Sequence, residues 1–360
     1  MNDYRSNLDL PAAAALIREA PGPVVILTHA KPDGDAFGSV VALTGALQIL
    51  GRRTHAVLVP PILPALQMLE GQTLYHTFTD GATLPDAGLY VVVDTGAWSQ
   101  VGPLRPLIEP HLDRTLILDH HLAGDIPAAF KFIDPTAAAA CEIVSDLIDQ
   151  LLPGGRLIPE GKGSDAADPE LDHRLLDVIH QSLFVGIASD TGWFKFSNAT
   201  PRTHRLAARL IERGVSHTDL YARTEQSERP EKLKLLIRAV ASLKLLAEGR
   251  AATMMLRKKD FLETGALEEE TERLIDIPQQ VGSIQAIVLI VEHENPDQPD
   301  RPITRLSLRS KPGPDAVNVS ELAAQFGGGG HARAAGAKID APVDEVAPKV
   351  EQALLDALEA

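Results

Sequence analysis

The chain has 360 residues, 44% of them apolar, enough to bury the cores of two ordinary domains. Its formal net charge of −15 is poorly suited to gripping long duplex DNA through phosphate contacts. One cysteine, Cys141, excludes an intrachain disulfide, and no apolar stretch reaches the length of a membrane span. The opening MNDYRSNLDL lacks a basic region running into an apolar one, so no signal peptide is expected and a cytoplasmic protein is.

In chain order, PVVILTH predicts a short strand bounded by Pro23 and Pro32. FGSVVALTGALQILG follows at helical spacing and closes at Gly51, a natural helix stop. THAVLVP predicts a strand and PILPALQML a short helix. LYVVVDTG and RTLILDHH predict two further strands, separated by a helix around Gly102 to His111. Thr136 to Leu152 predicts a helix with Thr136 as its N-cap, and the Gly-, Pro- and Asp-rich stretch 153–170 reads as a surface loop. Cys141, within TAAAACEIV, reads as a small packing residue. Leu171 to Ala188 is helical in pattern, yet its last part, LFVGIASD, also reads as an apolar strand ending at Asp190.

NATPRTHRLAARLIERG predicts a helix closing at Gly214. SERPEKLKLLIRAVASLKLLAEG predicts one or two helices leading into a second domain. ATMMLRKKDFLETG opens it, SIQAIVLIVEHE, ITRLSLRS and AGAKID supply strand patterns, and VSELAAQF a short helix ending in a glycine run. The expected fold is α/β: an N-terminal domain with a mainly parallel sheet flanked by helices, plus a smaller α/β C-terminal domain across a cleft. The expected boundaries are 1–220, a helical linker over 221–249, and 250–360.

Acids and histidines gather where these apolar runs end. His29, Asp33 and Asp35 follow the first, Asp94 ends LYVVVD, Asp119, His120 and His121 end TLILDHH, and Asp190 ends IASD. Parallel sheets bind ligands beyond the carboxyl ends of their strands. Singly, each group has an ordinary explanation: DxD as a turn, His-His as packing, Asp94 and Asp190 as helix caps. Their shared context favours one metal site, built of carboxylate oxygen and imidazole nitrogen. Such ligands suit Mn²⁺, Fe²⁺ or Zn²⁺ better than Ca²⁺. Carboxylates shared between two ions about 3.5–4 Å apart are the usual apparatus of phosphoryl transfer.

The C-terminal part carries a different signal. Arg301 to Lys338 contains six basic and two acidic residues, so a basic patch sits in an otherwise acidic chain. FGGGGHARAAG places Gly327, Gly328, Gly329 and Gly330 before His331, a backbone that can approach an anion closely or simply end a helix. Arg309 and Ser310 in LSLRSK lie just upstream.

In this order, HAKPDGDAFGS, VVVDTG, LILDHH and IASDTG resemble the motifs of the DHH phosphoesterases, with Asp119-His120-His121 as the naming triplet. FGGGGHARAAG resembles the signature of the DHH-associated C-terminal domain. The resemblance covers nearly the whole chain. It implies His29 and Asp33 on one metal, Asp35, His120 and Asp190 on a second, and Asp94 bridging both. It further implies His121 at the scissile phosphate and Asp119 orienting a histidine or the metal site from behind. Arg309, Ser310, Gly328, Gly329, Gly330 and His331 would hold the substrate end distant from the metals. The segment WFKFSNATPRT resembles one that shapes the substrate cleft in the family, although Trp193 and Phe196 read equally well as packing residues.

Within the family, the size and C-terminal signature match the stand-alone short-oligoribonucleotide exonucleases that also dephosphorylate 3′-phosphoadenosine-5′-phosphate. The implied cofactors are two divalent cations, Mn²⁺ ahead of Mg²⁺, Co²⁺ or Fe²⁺. The implied partners are short single-stranded RNA or small phosphorylated nucleotides, with no membrane, no long duplex DNA, and a homodimer left open. The alternatives are a soluble cyclic or linear dinucleotide phosphodiesterase and a non-catalytic nucleotide-binding regulator.

Overall fold

A computed structural model describes residues 4–67, 69, 71–152, 169–295, 301–313 and 316–359. The loop expected over 153–170 lies outside these up to residue 168. The chain divides into two compact units, Met1–Ser227 and Glu228–Ala360.

The first unit is built on strands β1 (Val24–Leu27), β2 (Thr54–Leu58), β3 (His76–Thr77), β4 (Leu89–Val93), β5 (Thr115–Asp119) and β6 (Phe130–Ile133). They form one sheet in the order β3-β2-β1-β4-β5-β6, every neighbouring pair parallel. Strand β1 is buried along its whole length because both faces are covered. Val24, Ile26, Val91, Val93, Leu116 and Leu118 point to one face. Val25, Leu27, Tyr90, Val92 and Ile117 alternate to the other.

The first face packs against α1 (Leu10–Glu19), α2 (Gly34–Ile49), α6 (Ala140–Leu151), α7 (Pro169–Asp190) and α8 (Pro201–Glu212). The opposite face is covered by short turns α4 (Trp98–Val101) and α5 (Arg105–Ile108) and the 3₁₀ turn Gly102–Leu104 between them, through Val101, Ile108 and Leu104. Helices α3 (Pro64–Gln67) and α9 (His217–Glu225) complete the unit. The chain order reverses between β1 and β4, so the crevice at their carboxyl ends is the place where such a sheet holds ligands.

Helices α2 and α7 approach unusually closely because glycines line their contact. A Cβ at Gly34 would lie 2.5 Å from Ser189 Cβ, and one at Gly38 only 2.3 Å from the Ser182 carbonyl oxygen. Gly186 lets α7 approach α6 in the same way, where a Cβ would meet Cys141 Sγ at 2.1 Å. The contacts at Gly34 and Gly38 bring the N-terminus of α2 beside the C-terminus of α7.

Three local expectations change. The apolar run LFVGIASD is the last part of helix α7, so Asp190 ends a helix and not a strand. Ile179, Leu183, Phe184, Ile187 and Ala188 are all buried at helical spacing, and a helix buried on a wide face looks strand-like over a short window. The helix expected from Thr136 begins at Ala140, with Ala139 as its N-cap position. Thr136 instead donates its N–H (3.0 Å) and hydroxyl (2.6 Å) to Asp134 Oδ1, forming a preceding turn. The helix expected from Gly102 to His111 is broken into short α and 3₁₀ turns, where Gly102 takes φ +53° and Pro103, Pro106 and Pro110 remove donors.

The second unit holds α10 (Pro230–Ala241), β7 (Lys244–Leu246), β8 (Ala251–Leu256), α11 (Lys258–Thr264), β9 (Ala286–His293), β10 (Ile303–Ser310), α12 (Val319–Ala324), β11 (Gly329–His331), β12 (Ala334–Ile339) and α13 (Val343–Glu359). Its mixed sheet runs β11-β12-β10-β9-β8-β7, with only the β8–β9 pair parallel. Ala286, Val288 and Ile290 pack on one side with α12 and α13, and Ile287, Leu289 and Val291 on the other with Leu235 and Ala239 of α10. A mainly parallel first unit and a smaller mixed second one are the expected two-part α/β arrangement. No helix among the described residues is long and apolar enough to cross a membrane.

Candidate metal centre

The loop after β1 carries His29, Asp33 and Asp35. Asp33 caps α2, its Oδ1 accepting the N–H groups of Asp35 and Ala36 at 3.0 Å each. The DxD pair is therefore a helix start as well as a chemical group. Asp35, one residue into α2, is completely buried. The N-terminus of α6 grips it: Ala140 N–H donates to Oδ2 at 2.5 Å and Cys141 N–H to Oδ1 at 2.9 Å. These are the unpaired amides of a first helical turn, and they orient a carboxylate well.

Asp94 follows β4 directly and is buried. Its backbone sits in the left-handed region with φ +60°, a strained conformation for a residue with a side chain. Its N–H donates to the Leu118 carbonyl at 2.9 Å, and the Thr28 hydroxyl donates to the Val93 carbonyl at 2.8 Å. The ends of β1, β4 and β5 are thus tied to one another.

Asp119 closes β5 and is fully buried. Its Oδ1 accepts His120 N–H at 2.8 Å, His121 N–H at 3.3 Å and the His121 Nδ1 donor at 2.7 Å. Its Oδ2 accepts the Tyr4 hydroxyl. Despite burial, these bonds hold the Asp119 carboxyl below its ordinary range. Burial and the neighbouring Asp119 raise the Tyr4 hydroxyl, so it remains a protonated donor. His121 is raised chiefly by its hydrogen bond to Asp119.

The side chains converge in three overlapping groups whose candidate ligand atoms lie within 4.8 Å of one another: His29, Asp33 and Asp94; Asp35, His120 and Asp190; Asp94, His120 and His121. Asp94 belongs to both sides. Its Oδ2 is 3.5 Å from His29 Nε2, and its Oδ1 is 3.3 Å from His120 Nε2. His29 Nε2 is 3.8 Å from Asp33 Oδ1, and His120 Nε2 is 3.4 Å from Asp190 Oδ2.

The donor set fits divalent cations on two counts. His29 Nδ1 lies 3.0 Å from the Ala30 carbonyl, and His120 Nδ1 lies 3.3 Å from that of Ala137. A carbonyl only accepts, so Nδ1 carries a proton, and once Nε2 gives up its own its lone pair faces the carboxylates. Meanwhile the buried Asp94 Oδ1 accepts no hydrogen bond among the described residues. A buried carboxylate oxygen beside imidazole nitrogens calls for positive charge, supplied by protons or by cations.

The electrostatics agree. Burial opposes charging of the His29 ring, but Asp33 and Asp94 push it up to about 10. Burial likewise opposes His120, while Asp94, Asp35 and Asp190 push it up to about 10. Burial, with Asp94 and Asp190 nearby, holds Asp35 well above the usual carboxylate range. Burial and Asp94 push Asp190 up to about 7. Without cations, protons are drawn in to balance the crowded carboxylates. The arrangement is that of a divalent-metal-dependent active site.

Further supports carry bonds that the sequence does not signal, although Asn198 and Arg202 lie in the WFKFSNATPRT segment already singled out. Asn198 donates its side-chain amide to the Ala138 carbonyl at 3.2 Å and the Asp190 carbonyl at 3.1 Å, joining the end of α7 to the turn before α6. Arg202 holds Asp134 at 2.8 Å and Asp146 at 2.7 Å, and Arg209 holds Asp149 at 2.9 Å, fastening α8 to the α6 region. Tyr4 reaches Asp119 from far away in the chain. Of the two aromatics after Asp190, Trp193 packs against Tyr221 at 4.9 Å and Phe184 at 6.0 Å, whereas Phe196 is largely exposed. Cys141 is buried, and burial beside Asp35 pushes its thiol up, as suits a packing residue.

In the second unit, Arg309 and Ser310 end β10 and the glycines lead into β11. The Ser310 hydroxyl is buried and donates to the Val317 carbonyl at 2.7 Å. A Cβ at Gly328 would lie 2.1 Å from the Gly336 carbonyl oxygen, and one at Gly330 2.6 Å from that of Ala334. Those two glycines let β11 lie flush on β12. Gly329 has open space instead, and His331 is exposed. Arg309 Nη1 donates to the Leu308 carbonyl at 3.1 Å. Arg333, absent from the expected set, donates to the Val317 carbonyl at 3.0 Å.

A parallel sheet with this donor set at its switch point defines a class, the metal-dependent phosphoesterases. The DHH family N-terminal domain matches residues 23–179 and the DHHA1 domain matches residues 251–360, and the chain belongs to the DHH family. It is 28% identical to the bifunctional oligoribonuclease and PAP phosphatase NrnA of Thermus thermophilus, over 96% of this chain and 93% of that one. It is 27% identical to the protein of the same name from Bacillus subtilis, over 88% and 89%. Among solved structures, an exopolyphosphatase-related protein from Bacteroides fragilis superposes with a TM-score of 0.79 at 18% identity, over 97% of this chain and 95% of that one, a likeness of fold.

Proposed function

We propose that the protein hydrolyses short oligoribonucleotides to mononucleotides and removes the 3′-phosphate of 3′-phosphoadenosine-5′-phosphate. The observation that carries this reading is Asp94, whose two buried carboxylate oxygens face separate groups of ligands. Two relatives named for both activities, each matched over most of its length, support the choice of substrate.

In this reading His29 and Asp33 hold one divalent cation, Asp35, His120 and Asp190 hold a second, and Asp94 shares itself between them; Mn²⁺ is the cation proposed. Bound there, the pair would supply an acidified water and charge neutralisation at the phosphoryl oxygens. The chain's own groups do the rest. Asp119 commits both oxygens to hydrogen bonds, so its part is to hold the His121 ring by Nδ1. That leaves His121 Nε2 for an oxygen of the scissile phosphate. In the second unit, Arg309, Gly329 and His331 would contact the nucleotide, with Ser310, Gly328 and Gly330 shaping the backbone that presents them. Arg309 suits a phosphate because its planar fork donates in pairs.

The test is a panel assayed with Mn²⁺: di- to pentanucleotide RNA, the same lengths of DNA, 3′-phosphoadenosine-5′-phosphate, linear and cyclic dinucleotides, and pyrophosphate. Mononucleotide release from short RNA together with phosphate release from the bisphosphorylated nucleotide is expected. Inactivity on both with turnover of a cyclic dinucleotide would replace this reading with a signalling-dinucleotide phosphodiesterase. Inactivity on every member would leave a nucleotide-binding regulator.

A further inference from the structure

The segment before α1 is laid along the free edge of the first sheet. The Ser6 hydroxyl accepts Ile133 N–H at 2.8 Å and donates to the Ile133 carbonyl at 2.9 Å. Asn7 N–H donates to the Lys131 carbonyl at 2.9 Å, and Lys131 N–H returns to Asn7 Oδ1 at 2.8 Å. So anchored on β6, the segment delivers Tyr4 into a slot beside the Asp119-His120-His121 turn.

Two glycines create that slot. A Cβ at Gly96 would lie 1.8 Å from the Tyr4 hydroxyl oxygen, and one at Gly124 would lie 2.4 Å from its ring. Gly96 is two residues beyond Asp94, and Gly124 is three beyond His121. No side chain could be added on either side without expelling the tyrosine. Inside the slot its hydroxyl donates to Asp119 Oδ2, while Asp119 Oδ1 carries the bonds from His120 and His121.

We propose that Tyr4 is a positioning residue for His121, acting through Asp119. A carboxylate turns easily about its last torsion, whose energy profile is broad and two-fold. Fixing Oδ2 therefore fixes Oδ1, and Oδ1 sets the plane and tautomer of the His121 ring. Removing the hydroxyl leaves a fully buried carboxylate oxygen without its donor, and the group turns to find another. The kinetic half of this inference rests on the phosphoesterase reading above; the geometric half does not.

The experiment compares wild type, Tyr4→Phe and Ser6→Ala in the full-length protein. Tyr4→Phe keeps the ring in its slot and removes only the hydroxyl. Ser6→Ala removes one tether of the same segment without touching Asp119, while Asn7 and the Gly96–Gly124 slot still seat Tyr4. On short RNA with Mn²⁺, Tyr4→Phe is expected to lower kcat about tenfold and to leave KM within about twofold. Ser6→Ala keeps the wild-type kcat. In metal-free protein labelled with ¹⁵N-histidine, the hydrogen-bonded Nδ1–H resonance of His121 shifts or disappears in Tyr4→Phe and is retained in Ser6→Ala. A Tyr4→Phe protein with an unshifted His121 resonance, or with the kcat of an active wild type, overturns the proposal, as does an equal loss in Ser6→Ala. Should wild type prove inactive on short RNA, the substrate reading falls and the resonance alone decides the role of Tyr4.

Discussion

At the scale of single residues, Asp94 bears the heaviest demand: a strained backbone, a buried carboxylate and two groups of partners. Strain of this kind costs on the order of 1–3 kcal/mol and persists where the surroundings enforce it. Asp94→Ala is expected to abolish hydrolysis, measured as mononucleotide release from short RNA; near-normal turnover would contradict a shared ligand. The histidines make a second prediction, with a definite sign. In the metal-free protein His29 and His120 are raised to about 10 from an ordinary 6.5. Their contribution to stability is complete below pH 6.5 and disappears as pH rises through about 10. Asp190, raised to about 7, acts in the same direction, because ionising it costs stability. Chelation should therefore lower the melting temperature more at pH 9 than at pH 6.5. An equal loss at both would mean that no cation stands in for those protons.

At the scale of elements, the ends of β1, β4 and β5 could be read from the chain because each is a short buried apolar run closing on a polar group. Asp190 sits in the same space from a different element, since a helix buried on a wide face imitates that pattern. What joins the elements was not visible. Tyr4 and Asp119 are 115 positions apart, and a lone tyrosine in an unpatterned segment gives no sign of its partner. Asn198 lies in a segment the sequence singles out, but its bonds to two backbone carbonyls show only once the fold brings them together. Gly34 and Gly38 look like ordinary glycines until α2 and α7 are seen to touch, and Gly186 until α7 meets α6. Gly38→Ala must push the Ser182 backbone away, and overpacking of this kind costs about 1–3 kcal/mol. Thermal unfolding should show that loss, together with weaker Mn²⁺ binding, because these helices carry Asp35 and Asp190. Unchanged stability would show that the helix pair can separate freely.

At the scale of the whole molecule, the two units divide the proposed work. The first carries the acids and histidines, and the second carries Arg309 and the glycine-rich hairpin. If the second unit only holds substrate, Arg309→Ala raises KM for short RNA several-fold and leaves kcat nearly unchanged. A fall in kcat at constant KM would instead assign Arg309 to the chemical step. The proposed two-cation centre meets its most direct test in one titration. Mn²⁺ is added to the metal-free protein while mononucleotide release from pentanucleotide RNA is followed. Activity is predicted to be negligible at one equivalent per chain and to rise as the second binds. Full activity in the presence of chelator, or at the first equivalent, would contradict the account.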